Sequence, residues 1–409
     1  MRFFALSVLS VATVPFGQTQ KLVSYPTSAC SSIAKSFHST GVNVNFAEYI
    51  TAGTNLTLEQ GYNLSTCGRP FQVVPVDLCR IAMHVATSDR SGITLEAWLP
   101  TNWTGRFLST GNGGVSGCIQ YEDLAYTAGL GFATVGANNG HNGTRGFAFY
   151  QNADVVADFA YRSVHTGVVV GKEITKAYYQ RDYNKSYYLG CSTGGRQGFK
   201  EAQDVPEDFD GIVAGAPAVA FNNLSSWSGH FLLITGANDS ATFLTPQDWA
   251  LVHQDILTQC DGLDGAVDGI LENPDLCTYR PESLQCSPGN TTACLTSAQV
   301  QTVRQIFAPY YGVNGSLIYP RMQPGSELSD AFIYYSGQPF PYTEDWYRYA
   351  IYNDPSWSAF NFTVQDAAFA AAKNPSDIET WKGDLSAFRD HGGKLLVSAA
   401  LFAVIRMEV

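Results

Sequence analysis

The segment "YYLGCSTGGRQG", residues 187–198, sets one serine among small residues. Gly190-Cys191-Ser192-Thr193-Gly194 fits G-x-S-x-G, with an apolar stretch before it and the helix-forming "GRQGFKEAQD" after it. A strand that turns at once into a helix leaves room only for small side chains beside the turning residue. It also lifts the serine hydroxyl clear of the sheet. The helix start aims backbone N–H groups, Thr193 first, at charge developing on an attacked carbonyl oxygen. The chemistry this predicts is nucleophilic attack on a carbonyl carbon by Ser192. The alternative is an ordinary glycine-rich turn, such as a dinucleotide loop. "GNGGVSG" at 111–117 comes near G-x-G-x-x-G, but Ser116 stands where the last glycine belongs and no first-strand position precedes it. As the end of the strand "RFLSTGNGG", the same turn instead places a second oxyanion N–H at Gly113 or Gly114, where the backbone can approach a substrate closely.

A serine nucleophile requires a base, and the base requires a carboxylate to orient it, in the chain order Ser, Asp or Glu, His for α/β hydrolases. The histidines after Ser192 are His230, His253 and His391. Upstream, His141 precedes an apolar helical run at 154–179, and His165 lies within it, where a packed or hydrogen-bonded histidine is expected. A second cluster sits at "DGLDGAVDGILENP": Asp261, Asp264 and Asp268 alternate with glycines. Crowded carboxylates in a pliable loop suit a hard cation such as calcium, although the spacing is not that of an EF-hand. A solvated acidic turn is the equal alternative.

The elements that must position these residues alternate. "RIAMHVAT", "ITLEAWLP", "GRFLSTGNGG" and "GFATVGANNG" read as strands bounded by turn residues. The 154–179 run places Val155, Val156, Phe159, Ala160 and Val164 on one helical face. "SYYLG", the serine turn, a helix and "DGIVAGAPA" follow, so the expected fold is α/β with a parallel sheet. Residues 218–385 hold five of the seven tryptophans and four cysteines, and are expected to form an inserted unit. "GGKLLVSAALF" returns to a buried-strand pattern.

The net charge of −12 and the lack of basic runs argue against nucleic-acid and anionic-membrane partners. "MRFFALSVLSVATVPFGQTQ" reads as a secretory signal peptide. Ten N-x-[ST] sequons, at Asn55, Asn63, Asn102, Asn142, Asn184, Asn223, Asn238, Asn290, Asn314 and Asn361, fit a glycosylated extracellular protein. Nine cysteines in an oxidising compartment leave at least one unpaired.

"GCSTGG", "FDGIVAGAPA", "GNGG" and "DGLDGAVDGILENP" together resemble the fungal tannase/feruloyl esterase family, over a span from Cys30 to Leu396. The resemblance implies a secreted serine esterase with an α/β-hydrolase core and a lid, acting on phenolic esters or feruloylated polysaccharide. It implies a structural calcium ion on the Asp261, Asp264 and Asp268 side chains and the Ala266 and Ile270 carbonyls. It further implies the pairs Cys30–Cys79, Cys67–Cys118, Cys260–Cys277 and Cys286–Cys294, with Cys191 left over. The expected division is a signal peptide at 1–19, core at 20–217, lid at 218–385 and a return to the core at 386–409. One departure stands out. In the family Cys191 would pair with a cysteine directly after the catalytic histidine, and no His-Cys pair follows Ser192 here. The chain instead reads "AALFAVIRMEV" after its last strand, with no Asp or His. The expectation is therefore a C-terminally truncated chain of little or no activity. The alternatives are a non-catalytic binder of phenolic or polysaccharide ligands, or a misfolded fragment whose sheet lacks its last strands.

Overall fold

The structure, a computed structural model, describes residues 27–58, 67–289 and 292–398. The signal-peptide reading, the Asn63 and Asn290 sequons and the tail after Ser398 lie outside the described residues.

Eight strands form one mixed sheet: β1 Val42–Ile50, β2 Leu78–Ser88, β3 Ser91–Pro100, β4 Arg106–Thr110, β5 Ala133–Ala137, β6 Lys185–Cys191, β7 Gly211–Gly215 and β8 Lys394–Ser398. Their order is β1-β2-β3-β5-β4-β6-β7-β8. β2 and β3 form a long hairpin, in register from Leu78↔Pro100 to Ala86↔Gly92 and shifted by a bulge before Ser88↔Ser91. From β5 through β8 every pairing is parallel. The predicted return to the sheet is β8, which pairs with β7 from Lys394↔Gly211 to Ser398↔Gly215. Its apolar pattern is not buried as expected: among the described residues it lies at the sheet's edge, with Leu396 and Val397 exposed.

Alternation assigns the two faces. On β3, Ala97 and Leu99 join the large core with Ile81, Phe107, Val135 and Ile212, while Trp98 between them joins a second core with Leu78, Tyr121 and Leu124. Across this hairpin the buried Arg80 guanidinium holds Glu96 through two hydrogen bonds of 2.9 and 2.6 Å. Glu96 also accepts from Trp98 Nε1 and the Tyr121 hydroxyl. A carboxylate at full burial is thereby paired and hydrogen-bonded on all sides.

Helix α1 (Thr27–Ser36) and α3 (Ser163–Tyr179) share the large core, and α2 (Tyr121–Gly129) covers the opposite face. Ahead of α3 the helical run begins at Ala153–Ala157 and widens into a π turn at Asp158–Arg162. All five residues assigned to the apolar face of this run are buried. Helix α4 (Thr193–Asp204) follows the serine turn.

Residues beyond Pro217 fold mainly as helices, among them α5 (Phe221–Thr235), α6 (Pro246–Cys260), α7 (Ser297–Ile306) and α8 (Val364–Lys373). Their interiors are separate from the sheet's. Trp227 and Trp249 pack with Phe231, Val252 and Tyr335, and Trp346 packs with Phe159, Phe221 and Phe362. Three of the five tryptophans of this region are thus core residues, and Trp381 is exposed.

Candidate active site

Ser192 is the first residue after β6 and the N-cap of α4, with φ 60° and ψ −117°. That left-handed conformation is costly for a residue with a side chain, and a strand-to-helix elbow enforces it. Three backbone bonds fasten the turn: Ser192 N–H to Gly215 O (2.9 Å), Arg196 N–H to Ser192 O (3.0 Å) and Ala218 N–H to Ser192 O (3.1 Å). The small neighbours are required by contact. A Cβ on Gly190 would stand 2.7 Å from the Gly194 carbonyl, and one on Gly195 would stand 2.4 Å from Gly215 O.

The GNGG turn lies against this elbow. Thr193 Oγ1 donates to Gly114 O at 2.7 Å, joining the two segments expected to supply oxyanion N–H groups. Gly114 has φ +56°, and a Cβ there would collide with the Tyr342 ring at 2.5 Å. A Cβ on Gly113 would meet only Gln120 Nε2, at an ordinary 3.8 Å.

Sequence reasoning missed the polar bracket beneath. Gln197, one turn into α4, accepts from Asn112 N–H at 3.0 Å and donates to Asn112 Oδ1 and Asn139 Oδ1. Asn112 in turn donates to the Cys118 and Ala137 carbonyls. This network fixes the distance between the elbow and the GNGG turn. Its next neighbour, Arg196, is fully buried and donates to the Ala160 and Phe159 carbonyls. The π turn leaves those carbonyls available to a side chain. Burial lowers the Arg196 pKa to about 10, so it remains a cation.

A cavity of about 110 Å³ opens beside Ser192. Phe221, Leu224, Tyr334, Phe340 and Tyr342 wall it, and Ser225 and Ser228 add hydroxyls. Its lining contains neither histidine nor carboxylate. All seven histidines fall among the described residues. His141 turns both ring nitrogens to backbone carbonyls, Nε2 to Val115 O and Nδ1 to Asn139 O, and burial lowers its pKa. His230 bonds Trp227 O and stacks on Tyr310, with burial depressing its pKa to about 4. His165 and His253 are taken by Asp208 and Glu327, each at 2.6 Å. His38, His84 and His391 are exposed.

Residues 79–376 match the family model described as tannase and feruloyl esterase. A probable feruloyl esterase B-2 of Neosartorya fischeri is 61% identical over 369 residues, covering 90% of this chain and 70% of that protein. The chain belongs to the tannase and feruloyl esterase family. The crystal structure of feruloyl esterase B from Aspergillus oryzae superposes with a TM-score of 0.88 at 55% identity, covering 91% of this chain and 74% of that one. A second A. oryzae esterase gives 0.89 at 59% identity, covering 91% and 73%. The mixed sheet with helices on both faces is the α/β-hydrolase core of this family.

The cysteines of this family member form four disulfides: Cys30–Cys79, Cys67–Cys118, Cys260–Cys277 and Cys286–Cys294. These are the pairs the family resemblance implies. Cys191 is free and exposed.

The aspartate loop spans the Cys260–Cys277 disulfide. Asp261 accepts from Gly269 N–H, Asp264 from Ala266 and Glu272 N–H, and Asp268 from Ile270 N–H. The bonds of Asp261 to Gly269 and of Asp264 to Glu272 cross the loop and fold it onto itself, with Gly265 and Gly269 at positive φ. The backbone amides hold the Asp264 pKa below the ordinary value. Among the described residues, the acid and imidazole trio gathered within 4.8 Å is His165, Glu201 and Asp208, not the three aspartates. The loop's donors are nonetheless all hard oxygens, the kind calcium takes.

Proposed function

We propose that the chain hydrolyses phenolic carboxylic esters, of the ferulate or gallate type, through Ser192. The observation that carries this reading is the aromatic-walled cavity opening directly on the strained elbow serine. An aromatic acyl group stacks between such walls, and Ser225 and Ser228 offer hydrogen bonds to its ring oxygens. A feruloylated polysaccharide would present the same acyl group from outside.

In the reaction, Ser192 Oγ bonds the ester carbonyl carbon and the carbonyl π bond opens to an oxyanion. Backbone N–H groups of Thr193 and of the Gly113–Gly114 turn hold that charge. Collapse expels the alcohol and leaves an acyl-serine, which water then cleaves to release the acid. The Ser192 proton passes to water in the first step and is returned to the departing alcohol, since no histidine or carboxylate lines the cavity. Turnover by these 409 residues is accordingly weak, resting on oxyanion stabilisation and binding alone.

The aspartate loop would hold a calcium ion on the Asp261, Asp264 and Asp268 carboxylates and the Ala266 and Ile270 carbonyls, where it braces the lid. Four disulfides and seven exposed asparagines among the eight described sequons support secretion and glycosylation. The eighth, Asn223, is half-buried and donates to Ile318 O.

A fluorophosphonate probe with peptide mass spectrometry tests the assignment, alongside release of acid from methyl ferulate and methyl gallate. Slow labelling at Ser192, lost in Ser192→Ala, is expected. Labelling confined to another residue overturns the nucleophile, and fast stoichiometric labelling overturns the weak turnover. A cavity lining without histidine or carboxylate favours a second reading, a non-catalytic binder, which predicts saturable quenching of protein fluorescence by ferulate with no acid released.

A further inference from the structure

Away from the serine cavity, three side chains from three elements meet: His165 of α3, Glu201 of α4 and Asp208 in the turn before β7. Each offers one ligand atom, and the three atoms lie within 4.8 Å of one another. His165 Nδ1 is 2.6 Å from Asp208 Oδ2, and the Glu201 carboxyl hydrogen-bonds Asp208. Glu201 is 2% exposed, and its Oε2 has no hydrogen-bond partner. That oxygen belongs to a residue lining a cavity of about 370 Å³, shared with His165, Tyr161, Arg162 and Lys200. A buried carboxyl oxygen without a partner is costly unless a ligand completes it.

The surrounding cations do not complete it. Lys172 Nζ donates to the Asp208 backbone carbonyl, and Arg162 is bonded to Asp158 and to the Asp154 carbonyl. Lys200 pairs with Asp204 and Asp377. Once the imidazole and the Glu201–Asp208 pair give up their protons, the three groups carry two negative charges, which a divalent cation matches. One nitrogen and two carboxylate oxygens form a borderline donor set, suited to zinc rather than calcium. The half-exposed His165 ring and the cavity give an ion and its water access.

We propose that His165, Glu201 and Asp208 form a divalent transition-metal site of the zinc class, separate from the aspartate loop. Binding replaces the protons that the imidazole and the carboxyl pair share, so metal uptake releases protons. The site clamps the C-terminal half of α4, the helix that Ser192 caps.

Cobalt(II) titration of the full chelator-treated chain, followed by its visible absorption, tests this with zinc as competitor. One equivalent giving nitrogen–oxygen d–d bands and displaced by zinc is expected. His165→Gln and Glu201→Gln should each weaken uptake by at least about tenfold, the loss typical of disturbing a metal site, while Asp264→Ala leaves it unchanged. The His165 side chain is 43% exposed, so its variant folds and decides the matter if Glu201→Gln does not. No uptake by the native chain, or uptake untouched by His165→Gln, overturns the site.

Discussion

At Ser192 and its neighbours, covalent geometry and contact distance set the chemistry. The motif was legible in the sequence because its requirement is local: small residues beside a serine that turns from strand to helix. Gly195 makes the requirement measurable. An alanine there would place its Cβ 2.4 Å from Gly215 O and 2.8 Å from Pro217 Cα, both backbone atoms that cannot swing aside. Overpacking of this kind costs about 1–3 kcal/mol. Gly195→Ala should lower the melting temperature and slow fluorophosphonate labelling of Ser192. Gly383→Ala, with nothing within 4 Å, should do neither. Equal melting temperatures for the two variants would refute the steric account. Gln197, Asn112 and Asn139 left no comparable trace in the sequence. Their importance arises from bonds across 58 and 85 residues of chain, and no local spacing encodes those.

Among the elements, hydrophobic periodicity carried the strands and the long helix. It could not carry the π turn at Asp158–Arg162, since one extra residue in a helical turn barely disturbs an apolar face. The turn follows from tertiary demand, with Arg196 drawing on the Phe159 and Ala160 carbonyls. The aspartate loop is the converse case, conspicuous in sequence and undecided in its ligand. If it binds calcium, an ion present at 100 times its dissociation constant stabilises the fold by about 2.7 kcal/mol. Thermal melting with and without a calcium chelator should separate by several degrees, and Asp261→Asn with Asp264→Asn should close that gap. A chelator that leaves the native melting curve unmoved would make the loop a solvated acidic turn, its carboxylates satisfied by backbone amides.

For the whole molecule, the decisive quantity is how many buried groups fold in their neutral form. Burial raises the Glu201 and Glu379 pKa values and depresses that of His230 to about 4. Asp330, 2% exposed in the region beyond Pro217, gives the clearest case. Burial is the first cause of its rise from 3.8 to about 7, and the charge of nearby Glu327 adds to it. Ser326 Oγ donates to its Oδ2 at 2.6 Å and opposes the rise, while Glu327 is held by His253. Between about pH 4 and 7 the folded chain therefore keeps a proton that the unfolded chain has lost. Stability from this group is full below pH 4 and falls as the pH climbs through 7. At about 1.4 kcal/mol per pKa unit the loss amounts to at most about 4 kcal/mol. His230 acts in the opposite sense, adding stability as the pH rises from 4 to 6.5, so the native curve alone mixes the two. Asp330→Asn separates them, since it keeps an acceptor for Ser326 and cannot ionise. The variant should match the native chain near pH 4.5 and exceed its melting temperature at pH 7.5. Parallel melting curves for the two proteins across that range would show that Asp330 ionises freely in the fold.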